Sequence, residues 1–264
     1  MRRILVLTAT TALLLPLMTH SASMQNAAPQ PTISQLRRAG PPKGPIPRLP
    51  NGMVNLGDAV WLGGGSGGGD LGRSGGLKPG ELDSLMQPWA KELMAKRDVT
   101  QDPHNFCMPD VVPRVAPFPY RFVQNYTHTA PTHMYIVNEA NIHSFRQIFM
   151  DGRKHPEDLA PTWYGHSIGW WEKDTLVIDT VGFNDKAWFD GVGHPHTEQL
   201  HTIERWTRLD AGRMENKVTI DDPGAYTRPF TLTFMATASP GDEVMEYICQ
   251  ENNQYGSGNN AGRN

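Results

Sequence analysis

The side chains able to move protons or bind metal ions crowd into one stretch of the chain, from Gly165 to Arg205. The stretch opens on Gly165-His166-Ser167-Ile168-Gly169-Trp170-Trp171. It closes near a histidine-rich turn, Gly193-His194-Pro195-His196-Thr197-Glu198-Gln199-Leu200-His201. Imidazoles beside carboxylates exchange protons near neutral pH or hold a transition metal. Strand alternation groups the acid–base candidates: His166 falls in step with Ile168 and Trp170, Asp179 with Val177 and Val181, and Glu204 with Thr202 and Trp206. If these faces point inward, His166, Asp179 and Glu204 meet in one apolar pocket, where burial raises a carboxyl pKa toward a working range. His201 supplies a second imidazole. The structural alternative is a hydrogen-bond network in which Asp179 and Glu204 are satisfied by backbone or by Arg205 and Arg208.

Three further constellations compete with this one. His194 and His196, two apart on an extended segment, point the same way. With His201 and with Glu198 or Asp190 they make a candidate site for zinc or copper, although the spacing is no standard zinc pattern. Gly165-x-Ser167-x-Gly169 spells a nucleophile elbow, with Asp179 and His201 following in the hydrolase order. The sequence after it continues into a hairpin rather than a helix, so its glycines read better as room for close packing. Asp221 and Asp222, before Pro223-Gly224, suit either a calcium or glycosidase carboxylate pair or, more simply, a turn capped by Asp side chains. Five of the seven tryptophans, Trp163, Trp170, Trp171, Trp188 and Trp206, lie in the same region as the histidines. Trp163, Trp170, Trp206 and Tyr226 are the expected walls for a sugar or a flat apolar ligand.

The elements that must position these groups change character along the chain. Residues 24–80 are dominated by Pro, Gly and isolated hydrophobes and read as an extended arm or linker. The Gly63-x-Gly65-x-x-Gly68 match within them has neither the strand nor the helix of a nucleotide site. A short helix is expected from Glu81 to Arg97, within 81–100, with Leu82, Leu85, Met86, Trp89 and Leu93 as its packing stripe and Pro88 interrupting it. From Tyr120 the apolar period becomes two. Candidate strands are Arg121–Thr127, His133–Asn138, His143–Met150, His166–Trp171, Thr175–Val181, Thr202–Leu209, Met214–Ile220, Arg228–Ala238 and Glu243–Cys249, joined by turns such as Asp151-Gly152 and Pro240-Gly241-Asp242. The expected fold is mainly β, an antiparallel meander over 101–253 closed into a barrel, with a β-sandwich as the alternative and 254–264 a disordered tail.

Several long motifs carry a family resemblance: Gly165-His166-Ser167-Ile168-Gly169, Asp174 to Thr180, Gly182-Phe183-Asn184-Asp185, Gly193-His194-Pro195-His196-x-Glu198-x-Leu200-His201-x-x-Glu204-Arg205, and Ile220-Asp221-Asp222-Pro223-x-x-Tyr226-Thr227-Arg228-Pro229. Over roughly 102–253 the chain resembles an uncharacterised family of secreted bacterial proteins. The resemblance implies an architecture similar to lipocalin-like barrels and a bacterial, exported setting, and it brings no settled activity.

Export is also expected from residues 1–23, where Arg2-Arg3, an apolar run from Ile4 to Met18 and small residues near Ser21-Ala22-Ser23 have the order of a signal peptide. In an oxidising compartment Cys107 and Cys249, the only two cysteines, are expected to pair. The 264 residues carry a formal net charge of −3, and no run concentrates Lys and Arg, so neither nucleic acid nor an anionic membrane surface is expected as a partner. The apolar run is too short to span a bilayer well and nothing later reaches its length, so no membrane insertion is expected after signal removal. The functional expectation is a periplasmic or secreted enzyme of lyase, isomerase or hydrolase type. Its partner would be a small apolar or sugar-like compound, handled by His and carboxylate chemistry without a definite cofactor. The competing expectation is a ligand- or metal-binding module without turnover.

Overall fold

The computed structural model describes residues 40–114, 118–125, 132–139 and 144–249. The expected signal peptide at 1–23 and the tail at 254–264 lie outside these. Nine strands dominate: β1 (Val60–Gly63), β2 (Tyr120–Gln124), β3 (His133–Asn138), β4 (Phe145–Phe149), β5 (His166–Glu172), β6 (Thr175–Val181), β7 (His201–Arg208), β8 (Arg213–Asp221) and β9 (Phe230–Ser239). Each pairs with the next, and β1 pairs with both β2 and β9, so the sheet closes into a ring. Closure gives every strand a partner on both sides, with open edge left only where two strands pair over part of their length.

Alternation sorts the side chains. Tyr120, Phe122, Met134, Ile136, Ile148, Leu176, Ile178, Trp206, Met214, Ala236 and Ala238 join one apolar core cluster. Val218, Ile220, Phe230, Leu232 and Phe234 join a second, completed by three short helices: α1 (Leu71–Ser74), α2 (Glu81–Leu85) and α3 (Pro88–Lys96).

Four features depart from the sequence expectations. The meander is not wholly antiparallel, because β4 pairs with β5 in parallel, at Ile148↔Ser167 and Phe149↔Ile168 only. The segment read as an arm supplies, over its described part, β1, α1 and buried Leu49, Val54, Leu56, Trp61 and Leu71. One of its glycines serves a close contact: Gly64 has a φ of +87°, and a Cβ there would stand 2.8 Å from the Trp206 ring and from the Tyr120 hydroxyl. The expected strand Glu243–Cys249 does not form, since β8 and β1 already occupy both sides of β9. The expected single helix splits at Met86 and Gln87, because Pro88 lacks the N–H that would continue α2 and instead opens α3 at its first position. As expected, Cys107 and Cys249 are disulfide-bonded, their Cα atoms 5.8 Å apart.

Candidate functional site

The two-residue contact between β4 and β5 leaves the preceding parts of both strands apart, and a cleft of about 370 Å³ opens there. Its lining comes from both faces of the wall: Phe149 and His166 alternate outward, while Arg146 and Ser167 are buried on the inner face. Trp163 and Tyr164, from the β4–β5 connection, complete it, and burial pushes the Tyr164 phenol up to about 12.

On the outer side a chain of contacts runs away from the cleft. His166 Nδ1 lies 2.8 Å from His155 Nδ1, and His155 Nε2 lies 3.2 Å from Asp179 Oδ1. His201 Nε2 meets the same Asp179 oxygen at 2.7 Å. One tautomer set satisfies every contact: His155 donates Nε2–H to Asp179 and accepts at Nδ1 from His166, which keeps the lone pair on His166 Nε2. The Phe149 ring stacks on His166 at 5.0 Å, and the Arg153 guanidinium covers Phe149 at 3.9 Å. Burial, and then the neighbouring His155 and Arg153, hold the His166 pKa below its ordinary value, so this imidazole is neutral at pH 7. Burial would push the Asp179 carboxyl up, but the hydrogen bonds and charges of His201 and His155 outweigh it and hold the carboxyl low. The hydrogen bond to Asp179 in turn raises His201.

Glu204 is absent from this chain. Its strand pairs Ile178 with Glu204 and Asp179 with Ile203, so the pleat sends Asp179 outward and Glu204 inward. The expected meeting of His166, Asp179 and Glu204 in one interior pocket is therefore corrected: His166, Asp179 and His201 share the outer face, joined by His155. Glu204 makes a buried ion pair with Arg146 at 2.7 Å and accepts from Trp206 Nε1 at 3.2 Å. Arg146 Nη2 also reaches Ser167 Oγ at 3.4 Å and Thr180 Oγ1 at 3.3 Å, and these two hydroxyls lie 2.8 Å apart. Ser167 thus has hydroxyl and guanidinium neighbours rather than an imidazole, and it lies within strand β5 rather than on a strand-to-helix elbow. The packing reading of its flanking glycines fits: a Cβ on Gly169 would stand 2.8 Å from Ile148 Cγ2 and from Met150 Sδ.

The remaining candidates disperse. Trp163 lines the cleft, Trp206 is buried beside Glu204, Trp170 is half-exposed on the outer wall against Glu172, and Tyr226 is buried, donating to the Pro195 carbonyl at 3.0 Å. Both His194 nitrogens are taken, Nδ1 by Asp190 at 2.5 Å and Nε2 by Asp83 at 3.0 Å, while Asp190 also accepts from the backbone N–H groups of Leu71, Val192, Gly193 and His194. His196 is buried against Phe189, and burial lowers its pKa to about 4. Glu198 is exposed. The Asp222 side chain accepts from Thr197 N and Oγ1 in the histidine-rich turn rather than capping its own turn, which is closed by the Asp222 carbonyl accepting from Ala225 and Tyr226 N. Arg205 pairs outward with Glu172, and Arg208 with Asp58 and the Ala211 carbonyl. Among the described residues no three His, Cys, Asp or Glu side chains form a group able to hold a metal ion, so the His194 and His196 zinc or copper site is not carried forward.

Two members of the site escaped the sequence reading. His155 lies in the irregular Arg153-Lys154-His155-Pro156 segment, where no periodicity assigns a direction. Arg146 was findable, because it alternates in step with Ile148, and an arginine on an apolar face calls for a buried carboxylate such as Glu204.

Comparison with family models, with curated proteins and with solved structures finds no match.

Proposed function

We propose that this protein is an exported acid–base enzyme. In this reading His166 is the catalytic base at the mouth of the β4–β5 cleft, and a small compound with an apolar body occupies the cleft against Phe149 and Trp163. His155 and Asp179 act behind it as positioning residues: they fix the tautomer and take up positive charge when His166 is protonated. The observation that carries the reading is the unbroken contact chain from a cleft-lining imzidazole to a half-buried carboxylate. Catalytic imidazoles are oriented in this way, whereas a purely structural histidine has no need of a cavity. The disulfide suits an oxidising compartment, and among the described residues no helix is long and apolar enough to cross a membrane. We read the closed nine-strand ring as lipocalin-like in plan, with the ligand in the wall rather than in the filled interior.

The test is solvent deuterium exchange. A panel of small ketones, esters, lactones and reducing sugars in D2O is followed by proton NMR with the wild type and with His166→Ala. The expected outcome is loss of a C–H signal, or turnover, of at least one compound with the wild type, slowed about 10² to 10⁴-fold by the substitution, the span that a positioned acid or base contributes. Equal rates in both proteins would reject the assignment of His166. Saturable binding of panel members with no exchange or turnover would assign the protein to the binding-module class instead.

A further inference from the structure

The buried guanidinium of Arg146 keeps an N–H donor, on Nε, without a partner. Among the described residues all of its polar contacts, to Glu204, Ser167 and Thr180, pass through Nη2. Nε is buried with no hydrogen-bond partner, so this N–H donor is left over. The side chain is only 3% exposed, yet it lines the cleft together with His166. Leaving a donor of this strength unpaired in a low-dielectric site is costly. Glu204 already balances the charge of Arg146, so an oxygen that gains charge during reaction fits this donor better than a full anion in the ground state.

Resting on the reading of His166 as base, we propose that Arg146 is the oxyanion-stabilising catalytic residue, and that the substrate is a small carbonyl compound with an acidic α C–H bond and an apolar or aromatic body. His166 Nε2 takes the α-proton. The C–H electron pair becomes the C=C bond of an enolate, and the carbonyl π pair moves onto oxygen, where the Arg146 Nε–H meets it. The imidazolium then returns the proton to the same carbon or to a conjugated position. The step is redox-neutral and needs no co-reactant. Glu204, Ser167 and Thr180 hold the guanidinium still, so little reorganisation is needed as charge develops. Phe145, Phe149 and Trp163 supply the wall for the apolar body.

An enolate is imitated by a phenolate, so the probe is 4-nitrophenolate, whose absorbance reports its ionisation and binding. The wild type is expected to bind it as the anion, and Arg146→Lys, which keeps the charge opposite Glu204 but deletes Nε, to bind it at least tenfold more weakly. Where Arg146→Lys does not fold, the 15N-labelled wild type gives the same answer: the Arg146 Nε–H resonance moves downfield on adding the phenolate. Equal affinity in the variant, an unmoved Nε resonance, or binding of benzoate but not of phenolate would each overturn the proposal. Loss of exchange in His166→Ala beside an unaffected phenolate affinity in Arg146→Lys would overturn this inference alone and leave the acid–base reading standing.

Discussion

Asp179 is the hinge of the outer chain, because it meets two imidazoles at one oxygen and its own pKa is held low by them. Replacing it by Asn preserves shape but removes the charge that favours the His155 Nε2–H tautomer. We expect Asp179→Asn to lower turnover at least about tenfold and to shift His155 nitrogen signals toward the other tautomer, with the fold intact. An unfolded variant whose folded fraction is fully active would make Asp179 structural. Two pH dependences follow from the imidazoles. His166 is held below its ordinary 6.5, so the acid limb of the activity profile should turn over below pH 6.5. His196 acts on stability: its pKa falls from 6.5 unfolded to about 4 folded. The unfolded chain therefore takes up a proton that the folded chain refuses, and stability is lost as pH falls from 6.5 toward 4. One pKa unit is about 1.4 kcal/mol, so the loss is on the order of 3 kcal/mol. His194 has the opposite sign, since Asp190 and Asp83 outweigh its burial and raise its pKa. The comparison that isolates His196 is urea unfolding of His196→Asn against wild type at pH 7 and pH 5. The difference between the two proteins should shrink at pH 5, and a constant difference would contradict the buried neutral imidazole.

Among the elements, the β4–β5 junction decides the site. Gly169 lets β5 lie against Ile148 and Met150 across that junction. Gly169→Ala should cost about 1 to 3 kcal/mol by overpacking, measured by chemical denaturation, and should also disturb the cleft. A variant as stable as wild type would show that the junction has slack. The strands β3, β6, β7 and β8 were legible in the sequence nearly to the residue, because alternation against one buried face is a strong local signal. Pairing direction was legible everywhere except at this junction, where β4 and β5 run parallel. Nothing in Phe145–Phe149 or His166–Glu172 marks them as parallel neighbours, and the 16 residues between them form neither helix nor strand among those described. The site suffered for the same reason: strand parity gave the faces of His166, Asp179 and Glu204 relative to their own strands, whereas the partner register that sends Asp179 out and Glu204 in is a tertiary fact. The Gly-rich segment was misread because the close approach of Gly64 to Trp206 needs the absence of a side chain, which composition alone renders as an extended arm.

At the scale of the molecule, closure depends on segments distant in sequence. β1 completes the ring from one end of the described chain, and the disulfide fastens the Pro103–Phe106 turn to the segment after β9 from the other. That segment has no place in the sheet and leaves Met245 and Tyr247 exposed, so the covalent link does for it what strand pairing does for β1. The bridge spans 142 residues, and the chain-entropy argument gives such a loop roughly 5 kcal/mol of stabilisation, exerted on the unfolded ensemble rather than through native contacts. We therefore expect the double variant Cys107→Ser, Cys249→Ser to keep the native fold and any activity, because neither cysteine is among the residues that line the cleft. It should nevertheless unfold at markedly lower urea, with a steeper transition as the unlinked chain exposes more surface. Thiol titration of the denatured, unreduced wild type should find almost no reactive groups. A midpoint unchanged by the double substitution would mean that the ring holds itself closed without the bridge, placing the stability in the β1–β9 pairing and its glycine contacts.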